Sequence, residues 1–124
     1  MTQPTSGPIE SGTKLVPAAR RDGDAVVASV RGEIDLHNSP ELRTALLNVL
    51  TADAPKKLVL NLEQVPYMDS SAIAVLVEAL RKVQRGGGKV YLTNLQPRVK
   101  GLLEIARLNS IFVVAASEEE ALKK

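Results

Sequence analysis

Apolar positions along the chain change their period several times, and each change marks an element. "KLVPAAR" and "AVVASVR" are short β-prone runs on either side of Arg21-Asp22-Gly23-Asp24. Glycine beside aspartate is turn chemistry, so these runs predict a hairpin. Pro17 has no N–H to give a ladder, which predicts that the first strand lies at a sheet edge. Leu42, Leu46 and Val49, with Ala45 beside them, then recur at helical spacing. Ser39-Pro40 reads as the start of that helix, with Ser39 as N-cap and Pro40 at the first helical position. "KKLVLNL" is a nearly continuous apolar run, the mark of a strand covered on both faces. A second helix follows, with Ile73, Leu76, Leu80 and Val83 as its apolar stripe, widened by Ala72, Val75 and Ala79. Glu78, Arg81, Lys82 and Arg85 fall on its outer face. Gly86-Gly87-Gly88 ends it, because glycine takes the left-handed end conformation cheaply. "KVYLTN" predicts a third buried strand. Pro97 opens another helix, with Val99, Leu102, Leu103 and Ala106 on one side. "IFVV" predicts a last strand, and Ser117 with Glu120 forms a capping box for a short terminal helix.

A hairpin followed by alternating helices and strands predicts an α/β domain. Its sheet is mixed and mainly parallel, of about five strands with an antiparallel edge strand, accompanied by about four helices. Residues 1–13, rich in Thr, Ser, Pro and Gly, read as a flexible tail, and residues 14–124 as the domain. In open α/β sheets, sites lie beyond the carboxyl ends of parallel strands. Those ends emit the connections 32–39, 63–70 and 94–97. The topology therefore gathers Asp35, His37, Asp69, Ser70 and Ser71 at one edge.

Composition narrows the chemistry. The 124 residues carry a formal net charge of +2, with bases scattered among acids, which describes a solvated mixed surface rather than a nucleic-acid patch. Aromatic content is 2%, leaving few rings to stack bases. There is no cysteine and one histidine, His37, which excludes disulfides, thiolate catalysis and a multi-histidine metal site within one chain. The N-terminus lacks the pattern of a signal peptide, and no apolar stretch has the length of a bilayer span. The expectation is a cytoplasmic protein with no cofactor and no membrane insertion.

The stretch "YMDSSAIA", residues 67–74, carries the candidate chemistry. Asp69 or Ser70 is a good N-cap for the helix that follows. As a nucleophile, Ser70 would need His37 as base and Asp35 as orienter. The Gly-x-Ser-x-Gly elbow is missing, however, and Asp69 would oppose a developing oxyanion. "GGGKV" is no phosphate loop, because it follows a helix, precedes a strand and has Val90 after Lys89. The third reading makes Ser70 a phosphoacceptor at a helix N-terminus, where an anion is tolerated. The phosphate would change the charge of the exposed face without unfolding the domain.

"VRGEIDLHNSPELRTAL" followed by "KKLVLNLEQVPYMDSSAIAVLVEALRKVQRGGGKVYLTNLQPRVKGLLEIARL" resembles the STAS domains, and within them the bacterial anti-sigma factor antagonists. The resemblance spans roughly residues 14–122. It implies a regulator rather than an enzyme. The unphosphorylated form would bind an anti-sigma factor that is also an ATP-dependent serine kinase, freeing a sigma factor for transcription in a stress response. Phosphorylation of Ser70 would end that binding, and a PP2C-type phosphatase would restore it. The resemblance implies a partner-binding face containing Asp35, His37, Asn38, Asp69, Ser70, Ser71 and Ala74. The other role it implies is that of a STAS accessory subunit of a membrane lipid ABC transporter or of a large signalling assembly. One departure stands out. The family's usual glycines after Asp-Ser-Ser and two residues later are Ala72 and Ala74 here, adding two methyls expected near the docking face.

Overall fold

A computed structural model describes residues 6–50 and 55–124. Among these, six strands form one sheet in chain order: β1 (Ser6–Pro8), β2 (Ala18–Asp22), β3 (Ala25–Arg31), β4 (Lys57–Gln64), β5 (Lys89–Thr93) and β6 (Val113–Ala115). The first three pair antiparallel, and β3 to β6 pair parallel. The helices are α1 (Ser39–Leu50), α2 (Ser70–Arg85), α3 (Pro97–Ile105) and α4 (Glu118–Lys123). This is the mixed, mainly parallel α/β sheet that the alternation predicts.

The sixth strand comes from the segment read as a tail, of which residues 1–5 lie outside the described residues. Ser6–Pro8 pairs antiparallel with Arg20–Asp22, and the Ile9 N–H donates to Ala19 O at 2.8 Å. Ser11 is buried, its hydroxyl donating to Val16 O at 2.7 Å. Consequently β2 is not the edge strand that Pro17 suggested. Its outer backbone groups would otherwise be an open template for pairing, and the segment before it covers them.

Strand alternation divides the core into two layers. Val26, Ala28, Leu58, Leu60, Val90 and Leu92 pack with the apolar stripes of α1, α2 and α3. Val27, Val59, Tyr91 and Ala115 face the other side, where Ala121 of α4 covers them. Full burial of one such Leu or Val contributes about 1.5–3 kcal/mol, so the first layer dominates stability. The six-residue α4 is too short to hold itself. Ser117 Oγ caps its start, accepting from the Glu120 N–H at 3.1 Å. Glu120 reaches back to the Ala116 N–H at 2.9 Å, one residue earlier than a regular capping box requires. At its end, Lys57 Nζ donates to the carbonyls of Ala121 and Leu122 at 3.1 Å and to that of Lys124, while standing 5.3 Å from the Tyr91 ring centre.

The last strand lies two residues later than "IFVV" suggested. Arg107 turns left-handed at φ 59°, and a 3-10 turn over Leu108–Ser110 takes up the chain, so that Phe112 can enter the core before β6 begins. Of the three glycines after α2, Gly87 alone takes a left-handed φ, 82°. Gly88 is needed for another reason: a Cβ there would lie 2.5 Å from Pro55 O and 2.7 Å from Val83 Cγ1.

Gly88→Ala should destabilise the domain by about 1–3 kcal/mol, the range for forced overpacking. Gly101, inside α3 with open space within 4 Å of where a Cβ would stand, should do the opposite. Gly101→Ala should stabilise by about 0.4–1 kcal/mol. Urea denaturation of both variants checks the pair.

Candidate functional site

Two loops leave neighbouring parallel strands at their carboxyl ends and are fastened to each other by backbone. The Gly32 N–H donates to Gln64 O at 2.8 Å. Ile34 and Met68 then form an isolated parallel bridge, with the Ile34 N–H on Tyr67 O and the Asp69 N–H on Ile34 O, both 3.1 Å. The side chains of Ile34 and Met68 are wholly buried and anchor the bridge in the core. Gln96, from the third connection, donates Nε2 to Glu63 O at 2.6 Å. Asp35 and Asp69 are thus held at one edge by backbone, each being the residue next to a shared ladder.

The first loop is a closed hydrogen-bonded turn. Asp35 Oδ1 accepts the His37 N–H at 2.9 Å, and the Asp35 N–H donates to Asn38 Oδ1 at 2.8 Å. Asn38 Nδ2 donates to Glu33 O at 2.9 Å, so its side chain braces the loop from inside. Asn38, not Ser39, occupies the cap position of α1, since its carbonyl accepts the Leu42 N–H at 3.0 Å. The turn from Asp35 brings the chain into helical geometry one residue earlier than Ser39-Pro40 suggested, and Ser39 is buried at the first helical position. His37 is 96% exposed, with Nδ1 3.7 Å from Asp35 Oδ1. Among the described residues it makes no bond to Ser70, so these three side chains do not form a nucleophilic relay.

The second loop assigns one task to each of its polar residues. Asp69 is the N-cap of α2, and its Oδ1 accepts from the Ser71 N–H at 2.9 Å and the Ala72 N–H at 3.3 Å. Ser71 Oγ donates to the same oxygen at 2.5 Å. The Ser71 hydroxyl above all, then the N–H groups of Ala72, Ser71 and Leu36, hold the Asp69 carboxyl below the ordinary aspartate value, against a smaller upward push from partial burial. Ser70 is different. It is exposed at the first helical position, and among the described residues its hydroxyl has no hydrogen-bond partner. The three adjacent candidates are therefore a cap, a tied hydroxyl and a free hydroxyl.

The two alanines also part company. Ala72 is fully buried under α2, while Ala74 is exposed, one turn beyond Ser70. Only the second methyl reaches the outer face. Two apolar side chains that sequence reasoning passed over flank the site. Leu36, on the first loop, is 73% exposed, and Tyr67, on the second, is 37% exposed with Arg98 stacked 4.8 Å from its ring centre. A leucine placed in a loop between two turn-forming polar residues was the available signal.

Asp69 makes stability depend on acid in a defined sense. Its lowered folded value means that the cap contributes fully above the ordinary aspartate range and is lost as pH falls through the folded value. Asp69→Ala should lower the melting temperature at neutral pH, and the gap to wild type should close at strongly acidic pH. Asp69→Asn, which can still accept the cap bonds, should retain most of the neutral-pH stability while losing the pH dependence. Thermal melts across a pH series check all three.

Residues 16–121 match the STAS domain family, a span that takes in both loops and all four helices up to Ala121. The anti-sigma-B factor antagonist of Bacillus subtilis (strain 168) is 31% identical over 100 residues, which cover 81% of this chain and 90% of that protein. The crystal structure of an anti-sigma factor antagonist from Mycobacterium paratuberculosis shares the fold, with a TM-score of 0.75 at 22% identity over 99% of this chain and 97% of that one. The Bacillus cell fate determinant SpoIIAA is similar in two states. Its unphosphorylated form has a TM-score of 0.68 at 26% identity, covering 80% of this chain and 85% of that one. Its phosphorylated form has a TM-score of 0.61 at 25% identity, covering 81% and 89%. With strands β2 to β6, the clamped loops and the helices up to Ala121 inside one continuous match, the chain belongs to the STAS domain family.

Proposed function

We propose that this chain is an anti-sigma factor antagonist whose binding to its anti-sigma factor is switched off by phosphorylation of Ser70. The observation that carries this reading is the exposed, unpartnered Ser70 hydroxyl directly after an aspartate whose carboxylate is already engaged. A Bacillus relative named as an anti-sigma-B factor antagonist, and a structural neighbour known in unphosphorylated and phosphorylated forms, support it.

The anti-sigma factor is in this reading also a serine kinase. The bond between the γ-phosphorus of ATP and its bridging oxygen breaks, Ser70 Oγ bonds to that phosphorus, and ADP leaves. The hydroxyl proton passes to a base of the kinase. Asp69 is unsuited to take it, because its lowered pKa and the bonds it already accepts keep it an ionised acceptor. The chain supplies only a positioned hydroxyl and performs no catalysis of its own. A PP2C-type phosphatase returns it to the binding form, and the cycle runs in the cytoplasm.

The docking face consists of Asp35 and His37 on the first loop, Ser70 and Ala74 on α2, and the exposed Leu36 and Tyr67. Asn38, Asp69 and Ser71 act on it from behind, holding loop and helix in register. A phosphate brings about −1.5 to −2 charges to this face at neutral pH, beside the Asp69 carboxylate. A partner seated there meets like charge and a hydrated group where it had a small hydroxyl.

Ser70→Ala should bind the anti-sigma factor and stay bound when kinase and ATP are present, whereas Ser70→Glu should bind at least tenfold more weakly. Pull-downs with the two variants, read by mass spectrometry, check this. Equal recovery of a transporter ATPase by both would replace the proposal with an accessory-subunit role. Leu36→Asp should also weaken binding by about tenfold or more, equivalent to about 1.4 kcal/mol, with an unchanged melting temperature. Titration calorimetry beside a thermal melt checks that pair.

A further inference from the structure

Ser70 stands at one end of a longer stripe that is exposed except at the half-buried Val77. Ser70, Ala74, Val77, Arg81 and Arg85 follow at spacings of four, three, four and four, and so share one side of α2. The stripe runs about 22 Å at 1.5 Å per residue. Beside it, α1 and α2 enclose a surface groove of about 720 Å³. Its floor is apolar, made by Leu47, Ala74 and Val77. Its rim is basic, with Arg43, Arg81, Lys82 and Arg85 against one acid, Glu78. That acid is taken, since Arg43 Nε lies 2.7 Å from Glu78 Oε2. Among the described residues, Arg81, Lys82 and Arg85 have no acidic partner.

Lys82 and Arg85 sit in the last turn of α2, where they also favour the negative end of the helix dipole. Arg81 lies before that turn, and Arg43 is on another helix. The dipole therefore does not explain a rim of one sign around an apolar floor. A groove of that composition complements a segment carrying apolar residues on one side and carboxylates beside them.

We propose that the groove between α1 and α2 receives an acidic amphipathic helix of the anti-sigma factor, extending the docking face from Ser70 along α2. This rests on the antagonist reading for the identity of the partner. The groove supplies the attraction and the apolar contact. Ser70, at the head of the same stripe, supplies the veto when it carries phosphate.

The test measures binding of the cognate anti-sigma factor to the full chain by titration calorimetry at two salt concentrations. Arg81→Glu should weaken binding at least tenfold and flatten its salt dependence, with the melting temperature unchanged. Arg85→Glu should do the same to binding while lowering the melting temperature slightly, because it places an acid at the negative end of the helix dipole. Lys14→Glu, an equal change of charge on an exposed residue outside the groove, should bind as wild type does. If the groove variants bind like wild type, or if Lys14→Glu weakens binding as much as they do, the groove is not the docking site, and the Ser70 switch stands on its own. If wild type binds no anti-sigma factor, the antagonist reading falls, and a second measurement still decides the groove. In that measurement, amide shifts are followed while a synthetic Glu- and Leu-rich helical peptide, or its Lys-for-Glu counterpart, is added. Shifts at Leu47, Ala74, Val77 and Arg81 with the acidic peptide alone support an acidic-helix groove. No shifts, or equal shifts with both peptides, overturn it.

Discussion

The short parallel bridge between Ile34 and Met68 is the constraint on which the site depends. Loops at the ends of parallel strands have no inherent reason to stay together once the ladder stops. Here the ladder is resumed for one step beyond the sheet, and its two members are buried completely. That step fixes the backbone of Asp69 through its N–H bond to Ile34 O. Once Asp69 is fixed, its side chain is aimed at the first N–H groups of α2, and the direction of the helix follows. The rotation of α2 about its axis then decides which serine faces solvent and which methyl faces the core. A bond between two main chains thus sets the exposure of a side chain that takes no part in it.

The loops also explain why the proposed docking face is built as it is. Its polar residues are largely occupied with each other: Asp35 with His37 N–H, Asn38 with Asp35 and Glu33, Asp69 with Ser71 and Ala72. Side chains locked in this way offer shape rather than spare hydrogen bonds. In the proposed role, binding energy would have to come from groups that are free to be buried, and Leu36 and Tyr67 are the large exposed apolar ones there. An exposed leucine costs the folded monomer little and returns its hydrophobic contribution when a partner covers it. The rigid turn under Leu36 lowers the ordering entropy of that contact.

Much of this was legible in the sequence, because hydrophobic period reports the elements directly. The stripe of α2, the buried strand "KKLVLNL" and the gathering of Asp35 with Asp69 follow from spacing and topology alone. What spacing cannot report is which of several equivalent polar residues does which job. Asp69, Ser70 and Ser71 are all competent caps, and only the geometry of the bridge selects Asp69. The same holds at Asn38 and Ser39, where the Asp35 turn moves the cap by one position. Ser6–Pro8 was illegible for another reason. Its composition is that of a loop, and it becomes a strand because the edge of β2 needs a neighbour, which is a property of the sheet and not of the segment. Ala72 and Ala74 look alike in sequence and differ only through the rotation of the helix.

The closure of the helix end bears on how a phosphate would act there. A helix N-terminus attracts anions mainly through its unpaired N–H groups. At α2 most of these are already used. Ser71 and Ala72 donate to Asp69 Oδ1, Ile73 donates to Asp69 O, and Asp69 itself donates to Ile34 O. Among the described residues, the N–H of Ser70 is the one left without a partner at this end. A phosphate on Ser70 could gain that single donor and the dipole, but it would displace nothing and would lie beside an ionised carboxylate. It has little to gain by folding back onto the helix. It therefore remains outward and hydrated, and its charge falls on whatever approaches the face. The cap that makes α2 stable without phosphate would also direct the effect of a phosphate on Ser70 to the partner and spare the fold.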